Sequence, residues 1–213
     1  NLDALYDCMT DLVHKSGAQP GFVVVLEQLP DNPRFDREAR EQLLKVVATG
    51  VNEFAVWEQI LFLDNELLDW QALYDHAKSA VELFPNHAMF YFFRGVAALQ
   101  MNKLEEAITI TDEGLPNVVD NKLLEGQFVF LKGEAKYKLN QNDEAFKLFD
   151  RAIELDPDNY IALNNYAYYL SLAEQDLEKA ERMSAQVIEK YPDNATYLDT
   201  YAWVLFKKKN YSL

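Results

Sequence analysis

Cysteine is almost missing: the 213 residues hold one, Cys8. No internal disulfide can form, no Cys and His spacing can hold a structural zinc, and a lone thiol reads as a small buried hydrophobe. Glycine and proline are scarce at seven each, against 49% hydrophobic and 13% aromatic residues. That balance excludes a collagen-like or low-complexity chain and suits an ordered, helix-rich one. Positive charge is also short: 20 Lys and Arg face 35 Asp and Glu, a net −15 spread along the chain. Nucleic acid is therefore not an expected partner, because its affinity comes mainly from cations on phosphates. No apolar run approaches the roughly 20 residues of a membrane span. The runs present are short pieces such as FVVVL at 22–26, so direct membrane insertion is not expected. No signal peptide is visible, but the chain opens on Asn, so the natural start is expected to be missing and the compartment stays open.

Catalytic and cofactor motifs are lacking too. There is no GxGxxG and no GxxxxGK[ST], hence no support for a nucleotide cofactor. His14, His76 and His87 have no HExxH or i,i+4 partner and read as surface or interface histidines rather than ligands. The acidic turn DPDN does not have the ligand spacing of a calcium loop. The sequons at Asn194 and Asn210 are read as chance. The expectation is no cofactor, no metal and no enzyme. A catalytic site assembled from carboxylates across distant segments is a distant alternative, which a pocket with strongly shifted pKa values would reveal.

What is present is a period. Three stretches read alike: LFPNH at 83–87, LDPDN at 155–159 and KYPDN at 190–194. Proline cannot continue a helix, and the Asp, Asn or His that follows can cap the next one, so these are helix-to-helix joints. Before each proline, buried-type residues recur at fixed distances: Leu73 and Ala80, Ala145 and Ala152, Ala180 and Val187. Further back, Gly95, Gly133, Ala167 and Ala202 sit mid-segment, where two helices must cross closely. The phrase LNNYAYYLS at 163–171 returns as LDTYAWVLF at 198–206.

This pattern resembles the tetratricopeptide repeat, with Gly133, Ala145, Phe149, Ala152 and Pro157 all at that family's positions. The resemblance implies an all-α, right-handed superhelical solenoid of antiparallel helix pairs. Four repeats are expected at 54–87, 88–125, 126–159 and 160–194, followed by the first helix of a truncated repeat at 195–213. That last helix is expected over 198–208. Residues 1–53 are read as degenerate N-terminal helical repeats, in which Ala39, Leu43 and Val46 fall in register as a second helix. Segments 2–15 and 22–29 complete that reading. The repeat at 88–125 has no closing proline, so its joint near 118–124 is either a longer second helix or a looser turn. The rhythm is similar to large multi-repeat proteins of Gram-negative bacteria, which leaves cytoplasm and cell envelope both open. A chain cut at both ends of its solenoid is the simplest expectation.

The resemblance also implies where a partner sits: first helices line a concave face, and the family commonly takes peptide segments there. Its groove-facing places hold Phe62, Phe92, Phe130, Tyr137, Asn164, Tyr168, Trp203 and Phe206 in this chain. Places that would carry a carboxylate clamp hold Glu58 and Phe62, Phe92 and Val96, Phe130 and Glu134, so an acidic C-terminus is not the expected ligand. Aromatic rings at such places bury large areas and dominate binding energy, or else they pack between adjacent first helices. Arg94 and Lys132, where an apolar residue is usual, are expected to reach neighbouring carboxylates. The expected function is a protein-interaction scaffold gripping a protein or peptide segment. The alternative is a structural spacer or a self-assembly module joining through its exposed C-terminal repeat edge.

Overall fold

The computed structural model describes residues 33–209. Among them lie ten α-helices and no strand: α1 Pro33–Ala48, α2 Phe54–Glu66, α3 Trp70–Leu83, α4 Ala88–Gln100, α5 Leu104–Gly114, α6 Lys122–Lys138, α7 Asn142–Leu155, α8 Tyr160–Ala173, α9 Leu177–Lys190 and α10 Ala195–Lys207. The fold is an all-α solenoid of antiparallel helix pairs. Two compact units divide the chain, one ending at Val119 and one beginning at Asp120. The segments 2–15 and 22–29, and with them Cys8, His14 and Asn210, lie outside the described residues.

Two kinds of turn alternate along the chain. Within a pair the link is short and closes on a left-handed residue: Leu68, Asn102, Asn140 and Glu174 all have φ between 51° and 60°. Beyond each, an amide reaches back around the helix end. The bonds run from Asp69 N to Asp64 O (3.0 Å), Lys103 N to Ala98 O (2.8 Å), Gln141 N to Lys136 O (3.0 Å) and Gln175 N to Leu170 O (3.0 Å). These satisfy carbonyls that a helix C-terminus would otherwise leave free. Between pairs, the links before α4, α6, α8 and α10 carry proline, and an asparagine cap follows before the last three, whereas His87 before α4 makes no capping bond. Asn159 Oδ1 accepts from Ala162 N at 3.0 Å and Asn194 Oδ1 from Tyr197 N at 3.2 Å. The cap places the start of α10 at Ala195, three residues before the expected 198.

In the unit that ends at Val119, the recurring residues Leu73 and Ala80 are 0% exposed, as are Ala77 and Ala107, and Ala39, Leu43 and Val46 are buried on α1. Phe90, Ile60 and Leu61 fill the space between them at 0%. After α5, a 3-10 turn at Leu115–Asn117 containing Pro116 stops the helix. The following residues lengthen the N-terminal end of α6, which Asn121 caps by accepting from Leu124 N at 3.0 Å. The looser-turn alternative therefore describes residues 118–121, while 122–124 already belong to α6.

A buried charge cluster ties this unit together. Asp64 on α2 is fully buried, accepts from Arg40 Nη1 of α1 at 2.9 Å and pairs with His76 Nδ1 of α3 at 2.7 Å. Arg40 also reaches Asp69 Oδ2 at 2.9 Å, and that bond holds the Asp69 carboxyl below its ordinary value. Arg94 meets the expectation for its place: it donates to Tyr74 Oη at 3.1 Å and lies 3.8 Å from Glu106 Oε1.

In the unit that begins at Asp120, Phe149 is the hub. Its ring lies 5.5 Å from Phe130, 5.3 Å from Tyr166 and 5.6 Å from Tyr169. A Cβ added at Gly133 would sit 2.6 Å from Phe149 Cε1, so α6 and α7 approach only because that residue has no side chain. Ala145, Ala152, Ala167, Ala180 and Val187 are at most 1% exposed. Ala202, the corresponding small residue of α10, is exposed.

Candidate interaction face

In the unit that begins at Asp120, the first helices of successive pairs are α6, α8 and α10. Side chains of α8 reach α6 on one side, through Tyr169, and α10 on the other, where Lys207 Nζ donates to Glu174 Oε1 at 2.8 Å just past the end of α8. Spacings of seven and four residues put Ile161, Tyr168 and Leu172 on one stripe of α8. All three are open to solvent, at 60%, 39% and 44%. Phe206 of α10 is 54% exposed and stacks on Trp203 with centroids 5.6 Å apart. Lys207 Nζ stands 5.3 Å above the Trp203 ring, a cation–π arrangement.

The remaining expected residues lie deeper. Phe130 is half-buried beside Phe149, and Tyr137 stacks on Tyr169 at 3.9 Å. Asn164 is 5% exposed: its Nδ2 donates to Asn165 Oδ1 at 3.3 Å, while its Oδ1 has no hydrogen-bond partner among the described residues. Trp203 Nε1 is likewise without one. In the unit that ends at Val119, Phe62 of α2 is 49% exposed. Phe92 of α4 is half-buried, 6.2 Å from Phe93.

Beneath the tyrosines of α8 lies a buried carboxylate. Glu134 of α6 is 7% exposed and accepts from Tyr169 Oη at 2.8 Å and Asn165 Nδ2 at 3.4 Å. Burial raises its pKa, and the two bonds only partly oppose this. The Tyr169 phenol is pushed strongly upward by burial and then by the Glu134 charge, so it stays a donor. Burial, then Tyr168 and Glu134, raise Tyr137 as well. The arrangement is a wall of rings on a fixed polar base, able to hold apolar surface and offer a few hydrogen bonds. Among the described residues no group of three or more His, Cys, Asp or Glu could hold a metal ion. No described helix is long and apolar enough to cross a membrane.

One feature was not legible in the sequence: the Asp64 cluster joins residues 24 and 12 positions apart, and the only signal was a charged residue at an inward place of α2. His87, read as a surface or interface residue, is exposed and stacks on Phe54 at 4.3 Å.

Comparison with known proteins agrees with this architecture. The family described as tetratricopeptide repeat matches residues 62–117, 127–159 and 148–182. The family described as Barstar (barnase inhibitor) matches residues 1–64, which overlaps the stretch read as degenerate repeats. A thermophilic TPR protein from Thermus thermophilus superposes with a TM-score of 0.65 at 15% identity, covering 81% of this chain and 92% of that one. A tetratricopeptide repeat protein from Parabacteroides merdae ATCC 43184 gives 0.63 at 15%, over 98% and 74%. YrrB, a TPR protein with an unusual peptide-binding site, gives 0.57 at 21%, over 81% and 87%. No curated protein matches the chain significantly. The chain is a tetratricopeptide repeat protein.

Proposed function

We propose that this protein is an interaction scaffold whose α6, α8 and α10 face receives an apolar segment of a protein partner. The observation that carries the reading is the stripe of Ile161, Tyr168 and Leu172 continued by Phe206. These four large apolar side chains stay 39–60% exposed at the places where this repeat family binds peptides, whereas isolated exposed apolar residues would need no explanation. One further observation supports it: YrrB shows that a protein of this fold can bind peptide. The net charge of −15 favours a partner with basic flanks. Phe130 and Tyr137 contribute the floor of the face, and Phe62 and Phe92 are proposed to act likewise on their own unit. Residues 1–53 are proposed as divergent repeat helices.

The test is selection of binding peptides by display on the intact chain, followed by affinity measurement against Tyr168→Ser with Leu172→Ser. Loss of at least tenfold in affinity, about 1.4 kcal/mol, with unchanged thermal stability is expected. Selected peptides that bind the double variant as well as the parent would refute the assignment. A second reading belongs to residues 1–64 alone, because of the Barstar match: that stretch acts as a ribonuclease inhibitor. Adding the intact chain to barnase and following RNA cleavage decides it, since undiminished cleavage removes the reading. A spacer or self-assembly role predicts instead concentration-dependent association in sedimentation, with no peptide enriched.

A further inference from the structure

The joints before α8 and α10 border an open cavity of about 420 Å³, which shares only Ile161 with the stripe that carries the scaffold reading. Three tyrosines wall it. Tyr160 opens α8, Tyr191 ends α9 and Tyr197 lies in the first turn of α10. Tyr191 stands between the others, 5.2 Å from Tyr160 edge to face and 5.8 Å from Tyr197. Asp156 and Asp158 complete the lining on the α7 side. The wall is fixed from behind: Gln186 Nε2 of α9 donates to Pro157 O at 3.3 Å, so the joint is formed before any ligand arrives.

We propose that this cavity is a receptor for a weakly hydrated organic cation, a guanidinium or a quaternary ammonium. Faces of tyrosine attract such a group through their quadrupole, and two carboxylates supply charge. The two helix N-termini nearby would ordinarily favour an anion. Here the side-chain oxygens of Asn159 and Asn194 already occupy amides of those first turns, at 3.0 Å and 3.2 Å, and the aspartates repel negative charge. The phenol of Tyr160 registers the same field: partial burial, then Asp158, raises its pKa. The corresponding joint before α4 makes the contrast. Counted from its proline, Phe84 stands where Tyr191 does and Phe90 where Tyr197 does, and Phe54 opens its helix as Tyr160 does. Those rings also contact one another, Phe54 lying 6.1 Å from Phe84 and 5.1 Å from Phe90. The joints before α8 and α10 thus present phenols, with Asp156 and Asp158 beside them, where the other cluster is purely hydrocarbon at the same three places. The inference does not depend on the scaffold reading, because its ligand is a single charged group.

The experiment is an amide chemical-shift titration of the intact chain with four probes: tetramethylammonium, Nα-acetyl-arginine methylamide, Nα-acetyl-trimethyllysine methylamide and the neutral Nα-acetyl-norleucine methylamide. Saturable shifts at residues 156–161 and 191–197 with dissociation constants of about 1–10 mM are expected for the three cations. Tyr191→Ala should weaken them about tenfold, and Asp158→Asn, at an exposed residue, about threefold with a reduced salt dependence. Tighter binding of the arginine probe than of trimethyllysine would assign the site to an arginine side chain, and the reverse to a quaternary head; both support the proposal. Equal shifts with the norleucine probe, no saturable shift from any cation, or unchanged affinity in Asp158→Asn would each overturn it.

Discussion

Replacing Tyr166 with alanine measures directly whether the helix pairs pack as described. Its ring is 2% exposed, lies 5.6 Å from Phe146 and 5.3 Å from Phe149, and has Lys179 Nζ 4.9 Å above it. Burying a tyrosine side chain removes roughly 200 Å² from water. At about 25 cal/mol per Å² this is about 5 kcal/mol as an upper bound, since the denatured chain hides part of that surface already. Measured losses for large buried rings run at about 3–5 kcal/mol. The expected loss for Tyr166→Ala is therefore about 4 kcal/mol. Tyr166→Phe keeps the ring and gives up only the hydroxyl, whose pKa burial and then Asp150 raise, so it should cost about 1 kcal/mol. The assay is urea denaturation followed by helical circular dichroism, with both variants compared at constant slope. A loss below about 0.5 kcal/mol for the alanine variant would refute the register of the whole α7, α8, α9 packing. Equal losses for the two variants would show that the hydroxyl, not the ring, carries the energy.

Gly133→Ala should destabilise by about 1–2 kcal/mol, because the new methyl meets fully buried Phe149 and the strain outweighs a helix-propensity gain of up to about 1 kcal/mol; a stabilised variant in the same assay would contradict the close α6–α7 approach. Asp64→Ala should cost about 1–3 kcal/mol by removing the buried carboxylate that Arg40 and His76 share, with Asp69 still holding Arg40, and a loss under about 0.5 kcal/mol would mean the cluster is solvated. Glu134 sets a pH dependence with a definite sign. Its folded pKa lies above the ordinary carboxylate value because of burial, so the folded state holds the proton more readily than the unfolded one. Its contribution falls as pH rises from the ordinary value through the raised one, and is least favourable at neutral pH. Glu134→Gln should flatten that decline between mildly acidic and neutral pH; parallel denaturation midpoints for parent and variant across that range would refute it.

The helix pairs were legible because each depends on local chemistry. A proline ends one helix and a side-chain amide starts the next, as at Pro157 and Asn159, and a small residue marks each crossing, as at Gly133 and Ala167. The start of α6 was not legible, since Asn121 caps it five residues after Pro116, where the other asparagine caps follow their proline by two. The expected face was legible as places on a repeat and not as depths. Tyr168 and Phe206 are exposed, whereas Asn164, at an equivalent place, is buried; neighbouring helices decide that difference, and one helix's spacing does not contain it. The tyrosine cavity was illegible for a similar reason. Its three rings come from a helix start, a helix end and a first turn in two separate joints, so no periodicity links them.

The alternation of turns has a consequence for where this chain can be lengthened. Links within a pair are locked by a left-handed residue and an amide reaching back across the helix end, as at Asn140 and Gln141. An added residue there must break that closure and misalign two packed helices. The links between pairs at Pro85, Pro157 and Pro192 have no left-handed residue and no bond reaching back five residues, only single-turn closures such as Asn159 N to Asp156 O at 3.2 Å. Insertions, and the gain or loss of whole pairs, should therefore be tolerated beside Pro85, Pro157 and Pro192 and rejected at Leu68, Asn102, Asn140 and Glu174. The grammar of the chain permits new sentences and forbids new syllables.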